Sequence, residues 1–183
     1  MQQKGLLVLI ILSCATGTEL NSLYEDCVTA IRKTNPKRII FIAPSKLSHP
    51  EGLQYLKIPS QGNGYLMAEW HFYAAGPSKT NDKKRWTTGT AEEKHQIKKS
   101  IKVAVDWQKK TGIYTWVGAW MPGDYNKGDN YSVKEQIEFA SFMTQQLDKY
   151  EIPFAINADD RFYDYQAENW IPKYKDLLNR IFM

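Results

Sequence analysis

Short apolar runs alternate with amphipathic helical segments along nearly the whole of this 183-residue sequence. Five runs have the length and the residue types of strands: LLVLIIL, RIIFIAP, YLMAEWHFY, IYTWVGAW and IPFAINA. Strands that alternate with helices favour a parallel sheet whose connections are the helices. The sequence therefore predicts an α/β fold of about five parallel strands with outer helices, in one domain over residues 16–183.

Two capping boxes mark the starts of predicted helices. In each box a hydroxyl residue is followed three positions later by a glutamate, and the pairs are Thr90 with Glu93 and Ser132 with Glu135. The first helix is predicted to run to about Lys110, where Gly112 closes it, and the second to about Tyr150. The residues expected on the inward face of the first helix are Ile97, Ile101, Ala104 and Val105.

Two further helices are predicted nearer the ends of the chain. One covers NSLYEDCVTAIRKTN and ends before Pro36, and the other ends the segment NWIPKYKDLLNRIF. The inward face of the first of these two is expected to comprise Leu23, Cys27, Ala30 and Ile31. The segment between RIIFIAP and YLMAEWHFY is predicted to be a loop with one helical turn.

The charge and the metal-ligating residues argue against several classes of partner. The formal net charge is +4 and the lysines are scattered, so no nucleic-acid partner is predicted. Cys14 and Cys27 are too few for a disulfide framework. His49, His71 and His95 are far apart and do not have the spacing of zinc ligands. The sequence predicts no metal and no cofactor.

The first fifteen residues have two interpretations. A lysine, an apolar run and the small residues Ser13 and Ala15 form the plan of a secretory signal, which predicts an extracellular or secreted protein. The apolar run is also a candidate buried parallel strand, in which case a cytoplasmic location is expected. The run is too short to span a bilayer as a helix, so no transmembrane span is predicted.

Candidate functional residues follow from the predicted strand ends. In α/β folds the ligand site lies at the carboxyl ends of the parallel strands. His71 and Tyr73 are two residues apart on one predicted strand, so their side chains are expected on one face. Glu69 shares that face, one step deeper.

The order and spacing of these segments resemble the second half of a family 5 glycoside hydrolase, the cellulase family with a (β/α)8 barrel. The resemblance runs from Gly17 to the C-terminus. EWHFY is similar to the sixth strand, whose family pattern is His-x-Tyr, and YTWVGAW to the seventh, whose pattern is Gly-Glu-[Phe/Trp]. The resemblance implies a partial (β/α)8 TIM-barrel-like arc and a protein of β-glycan metabolism, a hydrolase of O-glycosyl bonds in cellulose-type polysaccharide that is expected to be truncated and inactive in this chain.

The resemblance also implies that both catalytic glutamates are substituted. Ala119 stands at the position of the nucleophile. Cys14 stands at the acid/base position if LVLIILSCATGTEL is the fourth barrel strand. Asn157 falls where the family usually has tryptophan. The residues implied to bind the β-linked glycan are His71, Tyr73, Trp120, Trp70 and Asn157.

Three functions stay open on the sequence alone. A working hydrolase would need relocated acids, for which the carboxylates near strand ends are Glu69, Asp124, Asp159 and Asp160. A non-catalytic carbohydrate-binding pseudoenzyme would keep an aromatic groove to which Trp116 contributes. A structural remnant would bind no ligand. Because the first three barrel strands have no counterpart here, another half-barrel or a second copy is a candidate partner.

Overall fold

The computed structural model describes residues 7–9, 16–62, 64–73, 85–123, 131–157 and 160–182, with the backbone path alone described at 7–9. The helices are α1 Gly17–Arg32, α2 Ala91–Thr111, α3 Val133–Lys149 and α4 Lys175–Phe182. The strands are β1 Leu7–Leu9, β2 Ile40–Ile42, β3 Leu66–Tyr73, β4 Tyr114–Met121, β5 Phe154–Ile156, β6 Tyr163–Asp164 and β7 Asn169–Trp170. Short 3₁₀ helices cover Pro50–Tyr55 and Pro172–Tyr174.

The chain divides into two compact units. The first comprises Met1–Trp70 and Lys102–Trp116, and the second comprises His71–Ile101 and Val117–Met183. In the first unit β1 pairs in parallel with β2, and β2 pairs in parallel with the start of β3. In the second unit β4 pairs in parallel with β5, and β6 with β7 antiparallel.

The sheet confirms the predicted fold class. The strands β1 to β5 follow one another across one five-stranded sheet in the order in which they occur in the sequence. Helices α1, α2 and α3 follow β1, β3 and β4, as parallel crossovers require. Among the first fifteen residues, Leu7–Leu9 forms a strand that pairs with β2. The β6–β7 pair is not among the predicted elements.

Helix caps fix the boundaries of the helices. Both predicted capping boxes are present, Thr90 with Glu93 before α2 and Ser132 with Glu135 before α3. Thr16 and Glu19 form a third box before α1, which the T-x-x-E spacing also encodes. Gly112, with a φ of +71°, follows α2 as predicted. The four residues predicted to face inward on α2 are all buried: Ile97, Ile101, Ala104 and Val105.

The buried face of α1 is rotated from the predicted one. The buried apolar residues are Leu20, Tyr24 and Val28. Leu23 is 41% exposed and Ala30 is exposed, so the prediction was wrong for both, whereas Cys27 and Ile31 are half-buried. Tyr24 sets the rotation, because its hydroxyl donates to the Ala43 carbonyl and accepts from the Ala43 N–H, each at 3.0 Å.

Arg32, at the end of α1, holds a corner of the first unit together. Its guanidinium is buried and donates to five backbone carbonyls at 2.8 to 3.4 Å. The acceptors belong to Asn35, Arg38, Gln61, Gly62 and Tyr65. Burial lowers the pKa of Arg32 from its ordinary value. Within the described chain, peptide dipoles rather than a carboxylate therefore compensate this charge.

An aromatic cluster around Phe139 of α3 forms the core of the second unit. The Phe139 ring lies 5.5 Å from the ring of Trp86, 6.1 Å from that of Trp120 and 6.4 Å from that of Phe72. Helix α4 packs on α3 through its buried residues Leu177 and Ile181. A search of the described helices finds none that is long and apolar enough to cross a membrane.

Candidate functional site

The carboxyl end of β3 places His71 and Tyr73 on one face of the sheet. Between them, Phe72 stacks on Phe139, so Phe72 faces α3. Because strand side chains alternate, His71 and Tyr73 face away from α3, and their rings meet edge-on at 6.4 Å. The prediction that the two residues share a face is confirmed. Both side chains are largely covered, at 8% and 5% exposure.

A bulge at the carboxyl end of β4 determines where Ala119 points. Val117 pairs with Phe154 and Trp120 pairs with Ile156, so Gly118 and Ala119 together oppose one residue of β5. Trp120 contacts Phe139 and Phe154 at 6.1 and 5.7 Å between ring centroids, which fixes Trp120 on the α3 side. Ala119 therefore lies on the face opposite α3, as His71 and Tyr73 do.

Two of the predicted glycan-binding tryptophans are core residues instead. Trp70 and Trp120 have no exposed surface, and the indole of Trp120 fills the space between Phe139 and Phe154. A fully buried indole cannot serve as a platform for a sugar, so the expectation is corrected for both residues. Trp116 is half-buried and lies 5.1 Å from the ring of Phe41 within the first unit.

The end of β5 brings Asn157 beside β4. The Asn157 N–H donates to the carbonyl of Trp120 at 2.9 Å, and the side chain is half-buried. Beyond it, Arg161 donates to Met121 Sδ at 2.9 Å, which adds a cation next to the end of β4. Sequence reasoning missed Arg161, because a lone arginine in a polar turn carries no distinctive signal.

Two of the carboxylates proposed as relocated acids, Glu69 and Asp160, lie among the described residues. Glu69 is 1% exposed and lies in the first unit, whereas Asp160 is exposed in a turn of the second unit. Burial raises the pKa of Tyr24, the bond to Ala43 opposes that shift, and the charge of Glu69 adds to it. Glu69 thus acts electrostatically on a core tyrosine.

Three candidate acids or acid positions lie outside the described residues: Cys14, Asp124 and Asp159. Among the residues that are described, no group of three or more His, Cys, Asp or Glu side chains could hold a metal ion.

Solved structures share this fold. The cellulose synthase subunit Z of Clostridioides difficile matches 91% of the chain with a TM-score of 0.76 at 20% identity. Endoglucanase Cel5A of Thermotoga maritima, solved in complex with cellobiose, matches 91% with a TM-score of 0.75 at 21% identity. The chain spans 56% and 55% of the lengths of these two proteins. The likeness confirms the predicted partial (β/α)8-barrel fold.

Sequence comparison gives the family. Endoglucanase H of Acetivibrio thermocellus is 27% identical over 103 residues, which cover 56% of this chain and 11% of that protein. The model of the family described as cellulase, glycosyl hydrolase family 5, matches residues 11–158. Because that match covers most of the sequence, this chain belongs to the cellulase family, glycosyl hydrolase family 5.

Proposed function

We propose that this chain is a family 5 glycoside hydrolase domain of β-glycan metabolism that does not hydrolyse β-glycan on its own. Family membership supports the hydrolase-like function. The observation that carries the second half of the proposal is Ala119, which occupies the end of β4 between Gly118 and Trp120 on the face opposite α3.

The chemistry explains why alanine at this position matters. A retaining glycosidase uses two carboxyl groups about 5 Å apart, one as nucleophile and one as acid/base. The nucleophile must supply an oxygen to the sugar carbon, and the methyl group of Ala119 has none. The bulge orients residue 119 away from the core. The backbone at this position is therefore compatible with a family site from which the carboxylate of the nucleophile is missing.

His71 and Tyr73 support retention of glycan binding as the second part of the function. They lie on the same face of the sheet as Ala119 and their rings are in edge contact. An imidazole and a phenol offer hydrogen bonds to sugar hydroxyls. The proposed ligand is a β-linked oligosaccharide or polysaccharide.

Hydrolysis of an activated aryl β-glycoside tests the proposal. The parent chain, Ala119→Glu and Glu69→Gln are compared with an active family 5 endoglucanase as a positive control. We expect no turnover by the parent or by either variant, because each lacks at least one of the two required carboxyls. Turnover by the parent that persists through purification and disappears in Glu69→Gln would falsify the proposal and would identify Glu69 as a relocated acid.

Binding is measured separately on the same proteins. Titration of the parent with soluble β-gluco-oligosaccharides is expected to give saturable binding that weakens about tenfold in His71→Ala, since one hydrogen-bonding group is lost. The matched control is His95→Ala, an exposed histidine on α2. Equal binding by the parent and His71→Ala would reject a role for the β3 end in recognition and would favour a structural remnant.

A further inference from the structure

A cavity of about 630 Å³ opens on the first unit, apart from the residues discussed above. We call it the Tyr55 pocket. Its lining includes Thr18, Ser45, Lys46, Gln54, Tyr55 and Lys57. Half of the Tyr55 side chain is exposed, at 51%, so an aromatic ring is available in the pocket wall.

A strained turn builds one side of the Tyr55 pocket. Lys46, Leu47 and Ser48 have φ values of 62°, 55° and 60°, in the left-handed region that non-glycine residues rarely adopt. Consecutive residues in this conformation persist only where the surroundings enforce it, and such strain concentrates at ligand sites. The turn positions the Lys46 ammonium 5.0 Å from the centre of the Tyr55 ring.

The packing that enforces the turn is visible. Ser48 is only 3% exposed, so the end of the turn is anchored in the core. Gly52 lies against the Ser45 carbonyl so closely that an added Cβ would approach its oxygen to 2.3 Å. No side chain fits at residue 52, and the turn is thereby held against the 3₁₀ helix that ends at Tyr55.

Asn21 of α1 holds the opposite wall. Its amide donates to the Tyr55 carbonyl at 2.9 Å and accepts from the Lys57 N–H at 2.9 Å. Both halves of the amide are thus used to fix the backbone that presents Tyr55 and Lys57. The backbone that carries Tyr55 and Lys57 is therefore pre-positioned, which reduces the entropy cost of binding a ligand.

The chemistry of the lining favours an anionic and ring-shaped ligand. Lys46 and Lys57 contribute two cations, and the described residues that line the pocket include no acidic side chain. Glu19 of α1, which follows the lining residue Thr18 in the sequence, is engaged by the Thr16 N–H and hydroxyl at 2.9 Å each. The Tyr55 ring offers a surface for the apolar face of a pyranose, whereas a small inorganic anion would leave that ring unused.

We infer that the Tyr55 pocket binds a carboxylated pyranose, the hexuronate unit of an acidic glycan. The carboxylate pairs with the lysine ammonium groups, the sugar face packs on Tyr55, and hydroxyls bond to Gln54 and Ser45. The inference rests on the proposed function only in that the ligand is a glycan. The glycan proposed to bind at the ends of β3 and β4 does not have to be acidic, whereas the ligand of the Tyr55 pocket does.

Three small probes separate the possible ligands. Calorimetric titration of the full chain compares methyl β-glucuronide, methyl β-glucoside, in which an uncharged hydroxymethyl group replaces the carboxylate, and inorganic phosphate. We expect the glucuronide to bind about tenfold more tightly than the glucoside, because one charge-assisted pair is added. Higher salt should weaken the binding of the glucuronide and leave that of the uncharged glucoside unchanged.

Variants assign the binding to the pocket. Lys57→Gln should remove most of the preference for glucuronide, and Tyr55→Ala should weaken both glycosides. Lys37→Gln is the charge-matched control, an exposed lysine of the same unit outside the pocket, and should bind as the parent does. Circular dichroism verifies that each variant is folded, which is expected because Tyr55 and Lys57 are exposed side chains.

Several outcomes would overturn the inference. Equal affinity for the two glycosides would remove the acidic specificity, and phosphate binding as tight as that of glucuronide would indicate a simple anion site. Glucuronide binding that Lys57→Gln and Tyr55→Ala leave unchanged would place the ligand elsewhere. None of these readouts involves turnover, so the inference and the proposed absence of hydrolysis fail independently.

Discussion

Val117 and Trp120 lie three residues apart on β4, yet their partners on β5, Phe154 and Ile156, lie two residues apart, so both β4 residues share one face of the sheet. A regular strand would place residues with this odd spacing on opposite faces. The extra residue in the bulge reconciles the two positions and leaves Gly118 and Ala119 on the other face. The position of the missing nucleophile is therefore set by a local irregularity of the backbone.

Replacement of Ala119 by glutamate tests this geometry. We expect the free energy of unfolding to change by less than about 1 kcal/mol, because residue 119 is half-buried and points away from the core. The comparison is Trp120→Ala, which should cost about 3–5 kcal/mol because it empties a fully buried site. Urea denaturation measures both. A loss for Ala119→Glu as large as that for Trp120→Ala would show that residue 119 is a core position.

Phe139 is expected to dominate the stability of the second unit. Its ring contacts Phe72, Trp86 and Trp120 and is fully buried, so Phe139→Ala should cost about 3–5 kcal/mol. Phe142, one turn further along α3, is only half-buried and provides the control. Thermal denaturation of both variants is the measurement. Equal losses would contradict a core centred on Phe139.

Glycine should be favoured at position 112 because of the backbone conformation there, and not because a larger side chain would clash. Its φ is +71° and an added Cβ would meet no atom within 4 Å. Gly112→Ala is therefore expected to cost about 1 kcal/mol through backbone strain, and Gly112→Asn less, since asparagine tolerates this region. Urea unfolding of the two variants decides the matter; a stabilising alanine would mean that the end of α2 adopts another conformation.

The bond between Glu25 and Ser60 predicts a dependence of stability on pH. The Ser60 hydroxyl and its backbone N–H, the latter at 2.9 Å, hold the pKa of Glu25 below its ordinary value of 4.5. A lowered pKa stabilises the folded chain above about pH 4.5, and that stabilisation is lost as the pH falls through the folded pKa.

The experiment compares unfolding free energies of the parent and Glu25→Gln from acidic to neutral pH. The difference should be constant near neutrality and shrink in acid. Asp26→Asn, an exposed neighbour on α1, controls for the general effect of removing a negative charge. A difference for Glu25→Gln that does not change with pH would show that the Ser60 bond does not select the carboxylate.

Local signals made much of this fold predictable. The capping boxes and Gly112 determine helix boundaries through contacts between residues that are close in the sequence. The starts of α2 and α3 and the end of α2 could therefore be predicted from the sequence. The buried face of α2 followed from spacing alone. The pairing of His71 with Tyr73 on one face needed only the alternation of a strand.

Tertiary contacts explain what the sequence missed. The rotation of α1 depends on the bond between Tyr24 and Ala43, nineteen residues apart, which no local pattern encodes. Trp120 was assigned to a groove because its neighbours suggested a site, and only the contact with Phe139 shows that it is core. The bulge at Ala119 likewise appears only when β4 is paired with β5.

The corner held by Arg32 is built without an acid partner among the described residues. Its five acceptors are peptide carbonyls, which do not gain or lose protons across the range in which carboxylates titrate. Acidification that weakens the link between Glu25 and Ser60 leaves this corner intact. We therefore expect slow amide hydrogen exchange in mild acid at the end of α1 and in the residues just before β3. Their exchange rates should change less with acidification than those of the rest of the first unit.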